Sequence, residues 1–400
     1  MNSLHKRGIG MKTELTVKLH EWEQKAQKRQ LRRAEASGAT VILNGKPMLN
    51  LASNNYLGLA DDRRLIEAGC EAMRAYGAGA GASRLVVGNH PLYERAEAAL
   101  KQWKKAEAAL IFNSGYTANI GVLTALIGRD DLVFSDKLNH ASLIDGIRLS
   151  KAACFRYRHH DIDQLESLLK QSPPAKRKWI VTDAVFSMDG DMAPLEELVE
   201  LKRRYRAVLL VDEAHSGGVF GPNGEGLLHH FGLEKEEDVI AIGTFSKALG
   251  SFGAYVTGEP WLVDYLINSA RSLIFTTALP PSVLAANEAA IHIVQAEPKR
   301  RERLHALSER FRTKLKRLGF DTGGSETPIV PVIVGPNDRA VAMSEQLQEA
   351  GIAAVAIRPP TVPEGTARIR FSITAAMTEE DIDMAVDCIA LAGKRIGLIS

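Results

Sequence analysis

Five places in this 400-residue sequence put reactive or polar side chains directly beyond an apolar run. AVLLV at 207–211 leads into Asp212, Glu213, Ala214 and His215. DVIAIG at 238–243 leads into Thr244, Phe245, Ser246 and Lys247, and KWIVTDAVF at 178–186 into Ser187. AALIF at 108–112 precedes Asn113, Ser114, Gly115 and Tyr116, and DLVFSD at 131–136 lies just ahead of Asn139 and His140. A lysine offers an amine that can form a Schiff base. A carboxylate paired with a pyridine nitrogen keeps that ring protonated, so the ring accepts electrons. Hydroxyls, and the first amides of a helix starting after Ser114-Gly115, can cradle a phosphate. Together these are the groups that hold a pyridine-aldehyde cofactor.

Other readings compete. VDEAH at 211–215 is also compatible with an acidic nucleotide-hydrolysing motif, but that reading wants a GxxxxGK[ST] loop, which this sequence lacks. Asp212, Glu213 and His215 are metal-ligand types, yet their i, i+1, i+3 spacing is not that of HExxH, and no further ligand element is evident. A histidine after a strand is often only a hydrogen-bonded loop residue. Residue types and spacing leave the cofactor, metal or nucleotide, and structural readings open.

In open α/β sheets, sites gather beyond the carboxyl ends of the strands. The elements around these residues predict such a sheet. From about 91 to 285, helical stretches (91–106, 116–127, 141–149, 194–205) alternate with apolar runs at 108–112, 131–136, 153–157, 178–186, 207–215 and 238–246, and a further run follows at 254–258. That alternation is the mark of a mostly parallel sheet covered on both faces. Beyond it, helices at 282–318 (broken near Pro298), 338–350 and 379–393 mix with strands at 328–335, 353–357 and 367–373. Before it, Leu19, Trp22, Ala26 and Leu31 recur at helical spacing, which predicts one amphipathic helix over 14–36. A hairpin turning at Asn44-Gly45 is expected within 41–52, and a helix at 62–76. The run GAGAGAS at 77–83 interrupts regular structure where backbone can approach a ligand or partner closely. The expected organisation is an N-terminal helix and hairpin segment (1–55), a large cofactor-binding α/β domain (56–285) and an α+β C-terminal domain (286–400).

Composition narrows the classes. Lys+Arg number 50 and Asp+Glu 48, a net charge of +2, so there is no bulk case for nucleic acid or a polybasic membrane contact. The basic stretches at 202–206 and 299–317 read as solvated helix faces. Cys70, Cys154 and Cys388 form no CxxC, which argues against a disulfide framework or a zinc site. No apolar run reaches the roughly 18 residues of a membrane span. The stretch MNSLHKRGIGMKTEL has no apolar signal core, so a cytoplasmic setting is expected, and Met11 offers an alternative start.

Seven segments then carry a resemblance that spans nearly the whole chain in order. TFSKALG (244–250) is similar to the lysine segment of the α-oxoamine synthases, a family of pyridoxal phosphate enzymes. SNNYLGL (53–59), GASR (81–84), NHAS (139–142), VFSMDG (185–190) and VDEAH (211–215) resemble further motifs of that family. The tail RPPTVPEGTARIR (358–370) most resembles its biotin-synthesis branch. The resemblance implies a fold-type I, aspartate-aminotransferase-like homodimer with active sites at the subunit interface. It implies a decarboxylative condensation of L-alanine with pimeloyl-CoA or pimeloyl carrier protein. Alternatives are the branch that uses glycine and acetyl-CoA, and a non-catalytic scaffold that kept the fold.

Residue roles follow from the same resemblance. Lys247 is implied as the amine that joins the cofactor aldehyde and later takes the α-proton. Asp212 would pair with the pyridine nitrogen, His140 would stack on the ring, and Ser187 and His215 would contact the ring hydroxyl. His215 would also donate to the developing acyl oxygen. Gly115, Tyr116, Thr244 and Ser246 would surround the phosphate, and Thr276 would reach that of the neighbouring subunit. Arg358 would hold the substrate carboxylate with Asn54 beside it, and Arg32 would meet the far carboxylate of the acyl chain. Arg84, Arg368 and Arg370 read as structural or interface residues, and Tyr56-Leu57-Gly58 as interface packing.

Overall fold

Helix α1 (Met11–Gln24) leads into strands β1 (Ala34–Ser37), β2 (Thr40–Leu43) and β3 (Lys46–Asn50) in this computed structural model, which describes residues 10–400. The stretch read above for a signal segment begins at 1–9, outside the described residues. β2 and β3 form the expected hairpin: Asn44 and Gly45 have φ of 51° and 83°, the two positive values a type I′ turn requires. The expected single helix over 14–36 is corrected. It ends at Gln24, and Ala34–Ser37 pairs antiparallel with β2, Ala34 opposite Leu43. The physical reason is the absence of a packing partner. No residue of α1 is buried, so its apolar stripe gains nothing within this chain, whereas Ala34–Ser37 gains a strand ladder.

The large part begins with α2 (Arg63–Tyr76) and α3 (Pro91–Lys104), separated by the irregular glycine run and a π-turn at Arg84–Gly88. It continues through β4 (Ala108–Phe112), α4 (Gly115–Leu126), β5 (Leu132–Asp136), α5 (Ala141–Ser150), β6 (Ala153–Tyr157), α6 (Ile162–Gln171) and β7 (Lys178–Asp183). Then come α7 (Leu195–Tyr205), β8 (Ala207–Asp212), α8 (Leu227–His230), β9 (Val239–Thr244) and β10 (Ala254–Gly258). The strands make one seven-stranded sheet in the order β4-β10-β9-β8-β7-β5-β6. Neighbours are parallel except β10, which opposes both β9 and β4. β10 follows β9 without an intervening helix, so it returns antiparallel. Ile180, Val181, Leu209, Leu210 and Val211 are buried on both faces of the sheet, as parallel strands require.

The remainder comprises α9 (Pro260–Ser269), α10 (Arg271–Ile274), α11 (Pro281–Ala296), α12 (Pro298–Arg317), β11 (Ile329–Gly335), α13 (Asn337–Glu349), β12 (Ile352–Ala353), β13 (Val355–Ile357), β14 (Ala367–Ser372) and α14 (Glu379–Arg395). The helical break at Pro298 is as expected, with the proline in the first turn of α12, where its missing N–H costs nothing. β11, β14 and β13 form a three-stranded antiparallel sheet. β12 pairs in parallel with β3, so the N-terminal hairpin closes onto the C-terminal part. Gly190, past β7, locks the loop holding Ser187 onto β11: a Cβ there would stand 2.0 Å from the Ile329 carbonyl oxygen, at a φ of +73°.

His159, which the sequence analysis did not single out, links the end of β5 to the loop after β7. Its Nδ1 lies 3.1 Å from Asp136 and its Nε2 2.7 Å from Asp191. Burial alone would depress its pKa, but the hydrogen bonds to both carboxylates more than offset this and raise it from 6.5 to about 9. A histidine pKa raised by folding contributes stability that is complete below about 6.5 and lost as pH rises through about 9. The melting temperature is therefore expected to fall between these values. His159→Gln should be less stable at neutral pH and lack this component of the fall; equal slopes for the two proteins would refute the assignment.

Candidate active site

Asp212 is the last residue of β8, at the carboxyl end of the sheet. Both its oxygens are held: Oδ2 accepts from Asn119 Nδ2 at 2.7 Å and Oδ1 from the Ala214 N–H at 2.8 Å. Glu213 turns elsewhere. It is fully buried, accepting from Lys104 Nζ at 2.6 Å and from the Leu228 N–H at 3.0 Å. The two acids therefore do not converge, and the metal triad of Asp212, Glu213 and His215 does not assemble.

Lys247 lies in a turn after β9 that is braced by Thr244, whose hydroxyl donates to the Gly253 carbonyl (2.8 Å) and accepts the Ser246 N–H (3.1 Å). Burial, opposed by Asp212 and Asp183 and aided by Arg370, brings its ammonium from 10.5 down to about 8. His140 caps α5 and gives its backbone N–H to Asp183 Oδ2 at 2.7 Å. Burial lowers its pKa. His215 is buried with Nδ1 2.7 Å from the Tyr56 hydroxyl. Burial, then the positive charges of Lys247 and Arg370, push it well below the usual range, so it is neutral.

Arg370, on β14, completes the cluster. Its guanidinium donates to Asn54 Oδ1 at 3.0 Å, to the Tyr56 hydroxyl at 3.4 Å, to Ser372 at 2.7 Å and to the Ser187 carbonyl. It is buried, and among the described residues no carboxylate forms an ion pair with it. Arg370 and Tyr56, read above as structural or interface residues, thus stand beside Lys247 and His215.

Arg358 goes to a different place. It donates to the Ala26 carbonyl and lines a cavity of about 840 Å³ together with Arg29 and Arg32. Burial, and then the charges of Arg29 and Arg32, hold its pKa below the usual guanidinium value. Arg29 donates to Thr361 at 3.1 Å and Arg32 to Gln348 at 2.9 Å. Arg358 and Arg370 therefore occupy different places: one lines the outer cavity, the other lies close enough to Lys247 to lower its pKa.

Gly115 and Tyr116 open α4, capped by the reciprocal Ser114 and Thr117 bonds, and their N–H groups point off the helix end. The Tyr116 hydroxyl donates to Asp145 at 2.7 Å. Thr276 lies beside the same turn, accepting from Asn113 at 3.3 Å within this chain. Asn119 and Asp183 were missed. Asn119 hides as one amide in an apolar helix, and Asp183 as one acid inside a strand. Their only sequence signal is a polar residue where the pattern demands burial.

Over residues 46–389 the chain matches the aminotransferase class I and II family, and it belongs to that family. Relatives provisionally named 8-amino-7-oxononanoate synthase include one from Bacillus cereus (strain Q1), 56% identical over 377 residues, covering 94% of this chain and 95% of the relative. Another, from Halalkalibacterium halodurans, is 57% identical over 340 residues, 85% of this chain and 86% of its own. Among solved structures, serine palmitoyltransferase from S. paucimobilis with a bound PLP–myriocin aldimine superposes with a TM-score of 0.91 at 32% identity, covering 96% of this chain and 98% of that one. 8-Amino-7-oxononanoate synthase from Francisella tularensis gives 0.76 at 28% identity, covering 87% and 98%.

Proposed function

We propose that this chain is a pyridoxal 5′-phosphate-dependent acyltransferase. It condenses L-alanine with pimeloyl-CoA, or pimeloyl carrier protein, and releases carbon dioxide to give 8-amino-7-oxononanoate for biotin synthesis. The observation that carries this is one cluster at the carboxyl end of the sheet, in which Lys247, Asp212, His140 and His215 lie with Arg370, in a chain 56% identical to a relative named for this activity. The donor set fits the cofactor: an amine, a carboxylate held by two donors, and a helix N-terminus at Gly115 where nothing stands within 4 Å of an added Cβ.

When bound, pyridoxal phosphate supplies an aldehyde that captures the amino nitrogen and a ring that takes up the electrons left by a departing proton or carbon dioxide. Asp212 would pair with the ring nitrogen and favour its protonated form. His140, whose pKa is lowered by burial, would lie against the cofactor ring, and Ser187 and His215 would contact its hydroxyl. The Gly115 and Tyr116 amides, with Thr244 and Ser246, would hold the phosphate, and Thr276 would do so from a second copy. Lys247 removes the α-proton of alanine and returns one after decarboxylation. His215, whose Nδ1 lies 2.7 Å from the Tyr56 hydroxyl, would donate from Nε2 toward the acyl oxygen as charge develops there. Arg370, rather than Arg358, holds the alanine carboxylate, with Asn54 beside it. Arg32, with Arg29 and Arg358, receives the far carboxylate of the pimeloyl chain, whose methylenes suit the Val341, Val355 and Ile357 lining of that cavity. A homodimer with shared sites is part of the proposal. Leu85, Val86, Val87 and Phe275 expose apolar surface on segments tied together by the Ala278 N–H to Ala82 carbonyl bond of 2.9 Å. Among the described residues no helix is long and apolar enough to cross a membrane; a cytoplasmic location belongs to the same proposal.

The test is CoA release from pimeloyl-CoA with alanine against acetyl-CoA with glycine. Pimeloyl-CoA with alanine should be strongly preferred, and Arg32→Ala should raise KM for pimeloyl-CoA by about 10-fold or more with kcat little changed, as loss of a charged contact implies. Preference for glycine and acetyl-CoA would move the enzyme to the other branch. No visible absorbance band with pyridoxal phosphate would reject the cofactor reading.

A further inference from the structure

Asp212 and His140, which flank the proposed ring site, are joined by two residues that touch neither cofactor nor substrate in that proposal. Asn119 on α4 and Ser142 on α5 are both buried. Asn119 Nδ2 donates to Asp212 Oδ2 at 2.7 Å and to Ser142 Oγ at 2.9 Å. Its Oδ1 is buried without any partner. The Asp212 carboxylate fixes the direction of the network. Turning the amide over would set its oxygen 2.7 Å from the Asp212 carboxylate, two acceptors in contact, so the amide nitrogen faces Asp212 and both amide protons point to acceptors. Ser142 Oγ, having received one N–H, has a single proton to give, and His140 Nδ1 lies 2.7 Å away. The Ser142 backbone N–H approaches the same nitrogen at 3.3 Å. Two donors on Nδ1 leave the imidazole proton on Nε2.

We infer that Asn119 is a positioning residue: it orients Asp212 and, through Ser142, sets the tautomer and tilt of His140, so that carboxylate and imidazole meet the cofactor ring as one preformed unit. The Asp183 bond to the His140 backbone N–H is the third anchor of that unit. The inference rests on the cofactor reading above and deepens it. It assigns a role to a residue outside every motif that carried the family resemblance.

The experiment titrates pyridoxal phosphate into the full-length apoprotein. It reads the dissociation constant and the absorbance of the bound cofactor from pH 6 to 10. Asn119→Leu, similar in volume but without donors, should weaken cofactor binding by roughly 10- to 100-fold, the range for a lost hydrogen bond to a charged group. Ser142→Ala removes the closer donor, at 2.7 Å, and leaves only the backbone N–H at 3.3 Å, so His140 Nδ1 takes a proton more readily. A new ionisation should then appear in the absorbance profile, moving toward the ordinary imidazole value of about 6.5. A merely structural role would lower apoprotein stability without creating that ionisation. Folded Asn119→Leu that binds within about twofold of wild type, or Ser142→Ala with an unchanged profile, would overturn the inference. If Asn119→Leu does not fold, Asn119→Ser is judged by the same affinity criterion. Wild-type protein that fails to bind rejects the cofactor reading itself, whereas wild type that binds alongside indifferent variants rejects only the relay.

Discussion

Lys247→Ala is expected to lower turnover by roughly 10²–10⁴-fold, the usual contribution of a positioned acid–base group, while leaving the fold intact. The loss is chemical because the turn around Lys247 is braced by Thr244 and Gly253, not by the lysine side chain. The pH dependence sharpens the test. An amine of pKa about 8 is about one-tenth neutral at pH 7, against roughly one part in 3,000 at its ordinary 10.5. Only the neutral amine attacks an aldehyde, so the rate of cofactor capture by the wild type should rise with pH and level off above about 8. Stopped-flow absorbance measures that rate directly. A pH-independent rate, or substantial turnover by Lys247→Ala, would remove the lysine from the centre of the mechanism.

The second large effect is on stability. Lys104 and Glu213 form an ion pair at 2.6 Å with side chains that are 1% and 0% exposed. Lys104→Met leaves a carboxylate buried and uncompensated, which should cost about 3–5 kcal/mol of unfolding free energy. Lys104→Met with Glu213→Gln should recover most of this, since glutamine still accepts the Leu228 N–H and no net charge remains buried. Urea unfolding at one fixed protein concentration measures both, because a dimer would make the midpoint concentration-dependent. Additive losses in the double variant would show that the pair is not the source of the effect.

Much of the site was legible because of how parallel sheets are built. Buried strands read as apolar runs, and the first polar residues after each run are those at the carboxyl edge, which is how Asp212, Lys247, Ser187 and His140 stand out. Arg370 was not legible for the complementary reason. It lies inside a strand, where alternation with Ile369 and Phe371 makes it look like an outward-facing residue. Only the packing of β14 beside Ser187 and Asn54 turns that face inward. Arg358, by contrast, looks prominent in the sequence but is drawn to the Ala26 carbonyl in the outer cavity. β1 was missed because AEAS carries no apolar signal: its pairing with β2 is a matter of backbone hydrogen bonds.

The parallel pairing of β3 with β12 also sets a timetable for biosynthesis. Leu49 faces Ile352, a separation of 352 − 49 = 303 residues. At roughly 5–20 residues per second on the ribosome, β3 waits on the order of 15–60 s for that partner to be made. During that interval β3 exposes an unpaired edge, with Met48 and Leu49 lacking their final cover. A chaperone that shields short apolar strands is therefore most useful to this chain early in translation, and a truncated product ending before Ile352 would keep that edge open for good.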